Sequence, residues 1–315
     1  MTTDEAASAG RVGFIGLGNM GGRMTRRLAD AGIAVLGFDP RPGQAAAAGA
    51  TTAASVAEVA AASDVILLSL PDSRVVESVV LGRDGTGRDA ILEHSRNGQV
   101  VVDLSTSAVS STVKLSARLA SSGVAYVDAG ISGGAAAAEA GALTIMAGGP
   151  AAVIDGLAWV FAPIAAKVIR MGDSGAGHST KLLNNFLNAV SLAATAEVMV
   201  AAKKAGLDLA RLLEVLNSSS GVNFATLNRF PRIITGDYLE GGLTSALMTK
   251  DIVLYIDHIR ELGVPSLNAA GPLASFGLAA NLGYAEQISN RVVDAIGDVA
   301  GGVRLHKDPR ARAGE

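Results

Sequence analysis

A lysine and an asparagine lie one helical turn apart in a long apolar segment. Between Lys181 and Thr195 most other side chains are Leu, Phe, Ala or Val, and no Gly or Pro interrupts the stretch 178–205. On a helix with about 100° per residue, Asn185 lies about 40° from Lys181. The same face carries further amide and hydroxyl groups, at Asn184, Asn188, Ser191 and Thr195. A polar stripe on an otherwise buried helix faces a ligand, a wet cleft or a hydrogen-bonding partner helix.

A glycine-rich turn near the N-terminus has the pattern of a dinucleotide site. Gly16-Leu17-Gly18-Asn19-Met20-Gly21 follows the apolar run 12–15 and opens a helix-like stretch. The first glycine then allows a tight turn, the second lets backbone approach a pyrophosphate, and the third permits close helix–strand packing. Asp39 ends the second predicted strand, where a carboxylate accepts hydrogen bonds from a ribose. We predict bound NAD, with NADP possible because Arg41 could cover the additional phosphate. The alternative is a glycine-rich turn without a ligand.

The amine of Lys181 gives the polar stripe a chemical use beside such a cofactor. Partial burial and a cationic nicotinamide ring both favour the neutral amine. That amine can take the hydroxyl proton while an alcohol is oxidised, and the ammonium can return it in the reverse reaction. Asn185 could hold the substrate oxygen or orient the amine. A structural pairing with a second helix remains the alternative, although Glu197, the acidic residue of this segment, points about 160° away from Lys181.

A second glycine-containing segment could bind a carboxylate. Ser132-Gly133-Gly134 offers successive backbone N–H groups and one hydroxyl, which together form a small anion-binding concavity. The alternative is an ordinary turn after the predicted strand Ala125–Asp128. Leu70-Pro71 and Thr106 follow two other predicted strands, at the sheet edge where open α/β folds bind ligands.

Composition excludes several classes of protein. The 315-residue chain is 49% hydrophobic, which excludes a disordered protein, and it has no Cys, which excludes a disulfide scaffold and thiol chemistry. A formal net charge of −3 argues against a nucleic-acid partner. No unbroken apolar run is long enough for a membrane span, and Met1 to Gly10 lacks an apolar signal core. We therefore expect a cytoplasmic protein. His94, His258 and His306 have no ligand spacing, so we predict no metal.

Two patterns of elements follow each other along the chain. Short apolar runs alternate with Ala-rich helical stretches up to about Gly172, which predicts an α/β, Rossmann-type doubly wound and mostly parallel sheet. The predicted strands are Val12–Gly16, Ala34–Phe38, Val65–Leu70, Val100–Asp103, Ala125–Asp128, Leu143–Ala147 and Lys167–Met171. Helical stretches alone follow, at Leu209–Leu216, Leu227–Ile234, Thr249–Leu262, Pro272–Asn281 and Glu286–Val299.

These patterns predict two domains. Residues 1–172 form the dinucleotide-binding domain, and residues 173–303 form an all-α C-terminal domain for substrate binding and oligomerisation. A long interdomain helix covers about 177–205, and 304–315 form a polar tail that we expect to fray.

Four motifs in order along the chain resemble the β-hydroxyacid dehydrogenase family, which includes NAD(P)-dependent enzymes of the 3-hydroxyisobutyrate dehydrogenase type. They are Phe14–Met24, Asp128–Gly134, Gly175–Asn185 and the pair Lys250-Asp251. Thr25 departs from the small residue usual after the first motif. Gly130 replaces the family's proline in the substrate loop, and we expect it to loosen that loop.

The resemblance implies a role for each motif. Lys181 and Asn185 would be catalytic, while Ser132, Gly133, Gly134 and Asp251 would bind a small carboxylate-bearing substrate. Leu70, Pro71, Thr106 and Lys250 would border the cofactor held by residues 16–21 and Asp39. The resemblance also implies a homodimer or homotetramer. For Lys250-Asp251 the alternative is a solvated helix surface.

The predicted activity is hydride transfer between NAD(P) and a small β-hydroxy acid or its semialdehyde. One alternative is an imine reductase of the same architecture, although such enzymes usually lack the lysine. The other is a non-catalytic dinucleotide-binding protein, which has no need for a buried cation.

Overall fold

A mostly parallel sheet organises the first part of the chain. The computed structural model describes residues 10–82 and 88–306, and the chain divides into a unit ending at Lys181 and a unit beginning at Leu182. Among the described residues of the first unit, the strands are β1 (Val12–Ile15), β2 (Val35–Phe38), β3 (Thr51–Thr52), β4 (Val65–Leu68), β5 (Val100–Asp103), β6 (Ala125–Ser132), β7 (Leu143–Gly148) and β8 (Ala165–Gly172).

The strand order is β3-β2-β1-β4-β5-β6-β7-β8, and of these pairs β6 with β7 is antiparallel while the others are parallel. The order reverses between β1 and β4, which opens a ligand-binding crevice at the carboxyl ends of these strands. Both strands are apolar and buried on both faces, as covered parallel strands must be. The predicted Rossmann-type sheet is confirmed, and β3 is an addition that its two exposed threonines did not reveal.

Helices pack on both faces of this sheet, although the edge strand β8 is exposed from residue 166 to 172. They are α1 (Asn19–Asp30), α2 (Gln44–Ala47), α3 (Val56–Ala62), α4 (Ser73–Leu81), α5 (Ile91–His94), α6 (Val109–Ala120), α7 (Gly134–Ala140), α8 (Ala151–Gly156) and α9 (Ala158–Phe161). Successive side chains of a strand point to opposite faces. Phe14 accordingly packs in one apolar cluster with Leu28, and its neighbour Ile15 packs in the other with Leu119.

A 29-residue helix, α10 (Ala176–Lys204), leads from the first unit into the second. The second unit is helical, with α11 (Leu209–Asn217), α12 (Phe224–Asn228), α13 (Phe230–Ile233), α14 (Ser245–Glu261), α15 (Ala270–Ala279) and α16 (Val292–Val299). By length and composition α10 could cross a membrane, but Leu192, Ala196 and Met199 fill the apolar core of the second unit. It is therefore a core helix.

Several details differ from the expectations. The helices predicted as Thr249–Leu262 and Glu286–Val299 begin instead at Ser245 and Val292. The predicted helix Leu227–Ile234 is two short helices, because Pro231 lacks the N–H that a continuous helix needs and instead lies in the first turn of α13. The predicted frayed tail is anchored where it is described, since Arg304 pairs with Asp298 and Leu305 is buried. Residues 307–315 of that tail and residues 1–9 lie outside the described part of the chain.

The last difference concerns Gly130, which was expected to loosen a loop. It lies inside β6, paired with Met146 of β7, because the strand continues four residues beyond its predicted end to Ser132. The expectation of a loosened loop is wrong.

Candidate active site

The turn between β1 and α1 is closed by two glycines that no other residue can replace. Gly16 has φ 89°, and a Cβ there would lie 2.3 Å from the carbonyl oxygen of Ser69. A Cβ on Gly21 would lie 1.9 Å from the carbonyl oxygen of Gly16. Between them, Gly18 precedes the first turn of α1, and the side chain of Met20 packs against the core. The turn therefore presents backbone N–H groups of Gly18 to Met20 at the N-terminus of a 12-residue helix.

The carboxylate of Asp39, directly after β2, faces this turn. Its side chain is 5% exposed and accepts hydrogen bonds from the Leu17 N–H at 2.8 Å and from Nε and Nη2 of Arg41 at 2.9 and 3.0 Å. Burial alone would raise the pKa of Asp39, but the hydrogen bonds from Arg41 and Leu17 outweigh it and lower the pKa. The carboxylate is therefore ionised at neutral pH, as a ribose acceptor must be.

The carboxyl ends of β1, β4 and β5 bring the other predicted cofactor residues to the same sheet edge. Leu70 and Pro71 follow β4, and a Cβ on Gly16 would meet Leu70 Cδ2 at 2.8 Å. Thr106 follows β5, whose end is tied to that of β4 by a hydrogen bond from the Leu70 N–H to Ser105 Oγ at 2.9 Å. A bare glycine turn, a helix N-terminus and an ionised carboxylate on one edge fit a dinucleotide.

The predicted carboxylate-binding segment lies where β6 ends. Because β6 is parallel to β5, its carboxyl end reaches the same edge. Ser132 is the last residue of the strand, Gly133 has φ 124° and Gly134, with φ 70°, begins α7. Both glycines are exposed, so their backbone N–H groups are accessible to a small anion.

Lys181 lies beside this strand end within the first unit. The start of α10 is held by Asp128 of β6, whose carboxylate accepts from the N–H groups of Gly175 at 2.7 Å and His178 at 2.8 Å. The lysine is half-buried, and its Cβ and Cγ lie against Gly130, two residues before Ser132. The first unit thus brings Lys181, Ser132–Gly134 and the dinucleotide turn to one edge of the sheet.

His178, three residues before Lys181 on α10, is fully buried. Its Nδ1 lies 2.7 Å from Thr112 Oγ1, and its Nε2 lies 3.2 Å from the carbonyl oxygen of Asp103. The Asp103 carboxylate accepts hydrogen bonds from Ser107 and from Tyr126. Burial, followed by the Asp103 charge, raises the pKa of the Tyr126 hydroxyl well above its usual value. Sequence reasoning missed this buried network, for which the signal was an aspartate at the end of each of two neighbouring predicted strands, Asp103 and Asp128.

In the second unit, Asn185 of α10 meets the Lys250-Asp251 pair of α14. Asn185 Nδ2 donates to Asp251 Oδ2 at 2.5 Å, and Lys250 Nζ lies 3.2 Å from Asp251 Oδ1. Asp251 is 1% exposed, so the alternative of a solvated surface is wrong for this residue. A carboxylate can only accept, which fixes the amide of Asn185 with its nitrogen toward Asp251 and its carbonyl oxygen away.

The other polar side chains of the α10 stripe lie in different environments. Thr195 Oγ1 accepts a hydrogen bond from Asn223 Nδ2 at 3.2 Å, so the structural pairing kept as an alternative holds at that position. Asn184, by contrast, is exposed. Within residues 10–82 and 88–306, no cluster of three or more His, Asp or Glu side chains could hold a metal ion.

Comparison with known proteins agrees with this geometry. Residues 11–172 match the model of the NAD binding domain of 6-phosphogluconate dehydrogenase, and residues 175–293 match that of the NAD-binding domain of NADP-dependent 3-hydroxyisobutyrate dehydrogenase. The fold and site are those of an NAD(P)-dependent oxidoreductase. The chain belongs to the β-hydroxyacid dehydrogenase family, and it is a hydroxyacid dehydrogenase with NAD as cofactor and NADP possible.

Individual relatives cover most of the chain. A 2-(hydroxymethyl)glutarate dehydrogenase of Eubacterium barkeri is 37% identical over 81% of this chain and 84% of its own. An NAD-dependent L-serine dehydrogenase of Pseudomonas aeruginosa is 34% identical over 88% and 94%. The structure of Mycobacterium tuberculosis 3-hydroxyisobutyrate dehydrogenase with L-serine superposes with a TM-score of 0.79 at 30% identity, covering 90% and 98%. An imine reductase from Pseudomonas sp., 22% identical, shares the fold.

Proposed function

We propose that this enzyme transfers a hydride between NAD(P) and a small β-hydroxy acid or its semialdehyde, with Lys181 as general acid and base. The observation that carries the proposal is the position of Lys181 in the first unit, against Gly130 and so two residues from Ser132 and the exposed Gly133 and Gly134, at the sheet edge that holds the dinucleotide turn. Oxidation of a hydroxy acid needs a base for the hydroxyl proton, a site for the carboxylate and a bound hydride acceptor. The amine, the anion-binding backbone and the dinucleotide turn at this edge match these three needs.

Each group then has one task. NAD(P), when bound, takes or returns the hydride. Lys181 Nζ takes the hydroxyl proton as the alcohol carbon becomes a carbonyl, and in the reverse direction the ammonium returns that proton to the oxygen. The Ser132 hydroxyl and the N–H groups of Gly133 and Gly134 bind the substrate carboxylate and orient the hydroxyl.

Asn185 lies one turn beyond Lys181 on α10, and Asp251 determines its orientation. With its nitrogen held by Asp251, Asn185 presents its carbonyl oxygen as an acceptor, which suits an ammonium or a substrate hydroxyl. Lys250 balances the charge of the buried Asp251 and, by the family resemblance, borders the cofactor.

The substrate belongs to the class of short β-hydroxy acids that the relatives' names describe. Hydroxymethylglutarate, serine, threonate and 3-hydroxyisobutyrate share a carboxylate and a β-hydroxyl group. This shared part is what Ser132–Gly134 and Lys181 would contact, and it defines the panel to be tested.

The test is a panel of these four acids, their semialdehydes and cyclic imines, each assayed with NAD and NADP by absorbance of the reduced cofactor. We expect turnover of at least one hydroxy acid or semialdehyde. Turnover of cyclic imines alone would support the imine reductase alternative, and tight cofactor binding without any turnover would support a non-catalytic role. Either result would contradict the proposal.

A homodimer or homotetramer is part of the proposal. Large apolar side chains of α10 are exposed in the second unit, among them Leu183 at 44%, Leu187 at 66% and Val198 at 46%. Exposed apolar side chains in a row on one helix fit a contact with another subunit. The cytoplasmic location stays a prediction from the sequence.

A further inference from the structure

We propose that Gly130 is a positioning residue for Lys181, because its missing side chain leaves the space on β6 that the lysine stem fills. Gly130 is buried, and its φ lies outside the left-handed region, so its backbone does not itself require glycine. What requires glycine in this chain, where the family's motif has proline, is the close approach of α10 to β6. A Cβ on Gly130 would lie 2.6 Å from Lys181 Cβ, and 3.2 Å from both Lys181 Cγ and the carbonyl oxygen of Gly177. The inference rests on the proposed role of Lys181.

This crowding cannot be relieved by rotating the lysine side chain. The position of a Cβ atom is fixed by its own backbone, so two Cβ atoms separate only if the helix and the strand separate. Carbon atoms in contact lie about 3.5–4.0 Å apart, so an alanine at position 130 would need about 1 Å more between α10 and β6. Lys181 Nζ would move with the helix.

The first turn of α10 is held by hydrogen bonds and close contacts, so it cannot shift on its own. Its first turn is bound to the Asp128 carboxylate through the N–H groups of Gly175 and His178. Gly177 packs directly on backbone, since a Cβ there would lie 2.4 Å from the carbonyl oxygen of Met146 and 2.5 Å from that of Asp128. Gly130 therefore sets the depth at which Lys181 lies over β6, next to the carboxylate-binding segment.

The experiment compares Gly130→Ala with the matched control Gly13→Ala. Gly13 is a buried glycine of β1 in the same sheet, where a Cβ would lie 2.4 Å from Ser63 Oγ and 2.5 Å from Val59 Cγ1. Each variant is measured for kcat, KM, the pH profile of kcat, cofactor Kd and Tm. The Tm of Gly130→Ala is also measured in a Lys181→Gly background, which has no Cβ at position 181.

We expect Gly130→Ala to lower kcat about 10- to 100-fold, because a displacement of about 1 Å at a reacting group has effects of this size. The pH profile of kcat should shift, while cofactor Kd changes less than about threefold. Gly13→Ala should lose Tm, on the order of 5 °C, without the loss of kcat or the shift in profile. The Tm cost of Gly130→Ala should fall to less than half in the Lys181→Gly background, where only the contact with the Gly177 carbonyl oxygen remains.

Three results would overturn the inference. They are unchanged kcat and pH profile in Gly130→Ala, an equal loss of kcat in both glycine variants, and a Tm cost that stays above half its value in the Lys181→Gly background. If Gly130→Ala does not fold, the double variant should fold, and its failure to do so would also overturn the inference. The Tm comparison does not depend on activity, so it still tests the space at Gly130 if Lys181 proves not to be catalytic.

Discussion

Both oxygens of the Asp39 carboxylate already accept hydrogen bonds from groups of this chain. Oδ1 accepts from the backbone N–H and Nε of Arg41, and Oδ2 accepts from Leu17 N–H and Arg41 Nη2. A ribose hydroxyl must displace part of this pairing, whereas a 2′-phosphate would approach a carboxylate already neutralised by the guanidinium. Arg41 therefore reduces the discrimination against NADP that an unpaired Asp39 would give.

Replacing Arg41 by Ala should separate the two cofactors. NADP should bind at least about tenfold more weakly, because the phosphate loses a guanidinium and meets an unpaired carboxylate, while NAD binding should be unchanged or tighter. The measurement is the ratio of kcat/KM for NAD and NADP, with the exposed α6 variant Arg118→Ala as control. An unchanged ratio would contradict this account of Asp39 and Arg41.

At the scale of the element, the N-terminus of α10 is fastened to the sheet by one buried carboxylate. Asp128 is fully buried and accepts from two N–H groups of the helix start, and as an anion there it also interacts favourably with the helix dipole. Strand β6 thereby carries both the helix anchor and the anion-binding segment. The placement of Lys181 follows from this junction.

Asp128→Asn should lower the free energy of unfolding by about 2 kcal/mol, because an amide keeps one acceptor and turns an NH2 toward a backbone N–H. Urea unfolding measures this change, with the exposed Asp155→Asn as control, whose ion pair with Arg170 should contribute under about 0.5 kcal/mol. Equal effects of the two variants would show that Asp128 does not anchor the helix.

Sequence patterns predicted the elements well where one local signal dominates. The apolar runs of β1 and β4 and the uninterrupted segment of α10 were located to within two residues. The end of β6 was missed because Gly130, Gly133 and Gly134 resemble a loop in composition. Pairing across strands, which no local signal encodes, extends the strand to Ser132.

The residues of the site were likewise predictable where they are close in sequence and not predictable where they are far apart. The turn Gly16–Gly21 and the spacing of Lys181 and Asn185 are local features and could be read directly. The partners Asp128, Asp251 and Thr112 are 50, 66 and 66 residues from the groups they contact, and their pairing depends on the fold.

At the scale of the whole molecule, exposed large apolar side chains are more numerous in the second unit than in the first. Leu187 is 66% exposed on α10, so replacing it by Asp removes no core packing. If α10 contributes to a subunit contact, Leu187→Asp buries a charge in that contact and should reduce the mass measured by light scattering to that of a smaller oligomer. Val113→Asp, at a 48% exposed position of α6, is the control. A monomeric unmodified enzyme, or an unchanged mass in Leu187→Asp, would contradict the proposed contact.

The proton-transfer role of Lys181 is the central claim, and Lys181→Ala tests it most directly. The measurement is kcat on the best substrate of the panel together with the Kd of the cofactor, alongside Lys114→Ala, an exposed lysine of α6. The account predicts that kcat falls about 100-fold or more in Lys181→Ala, while cofactor binding and the control are unaffected. Turnover within a few-fold of the unmodified enzyme would contradict it.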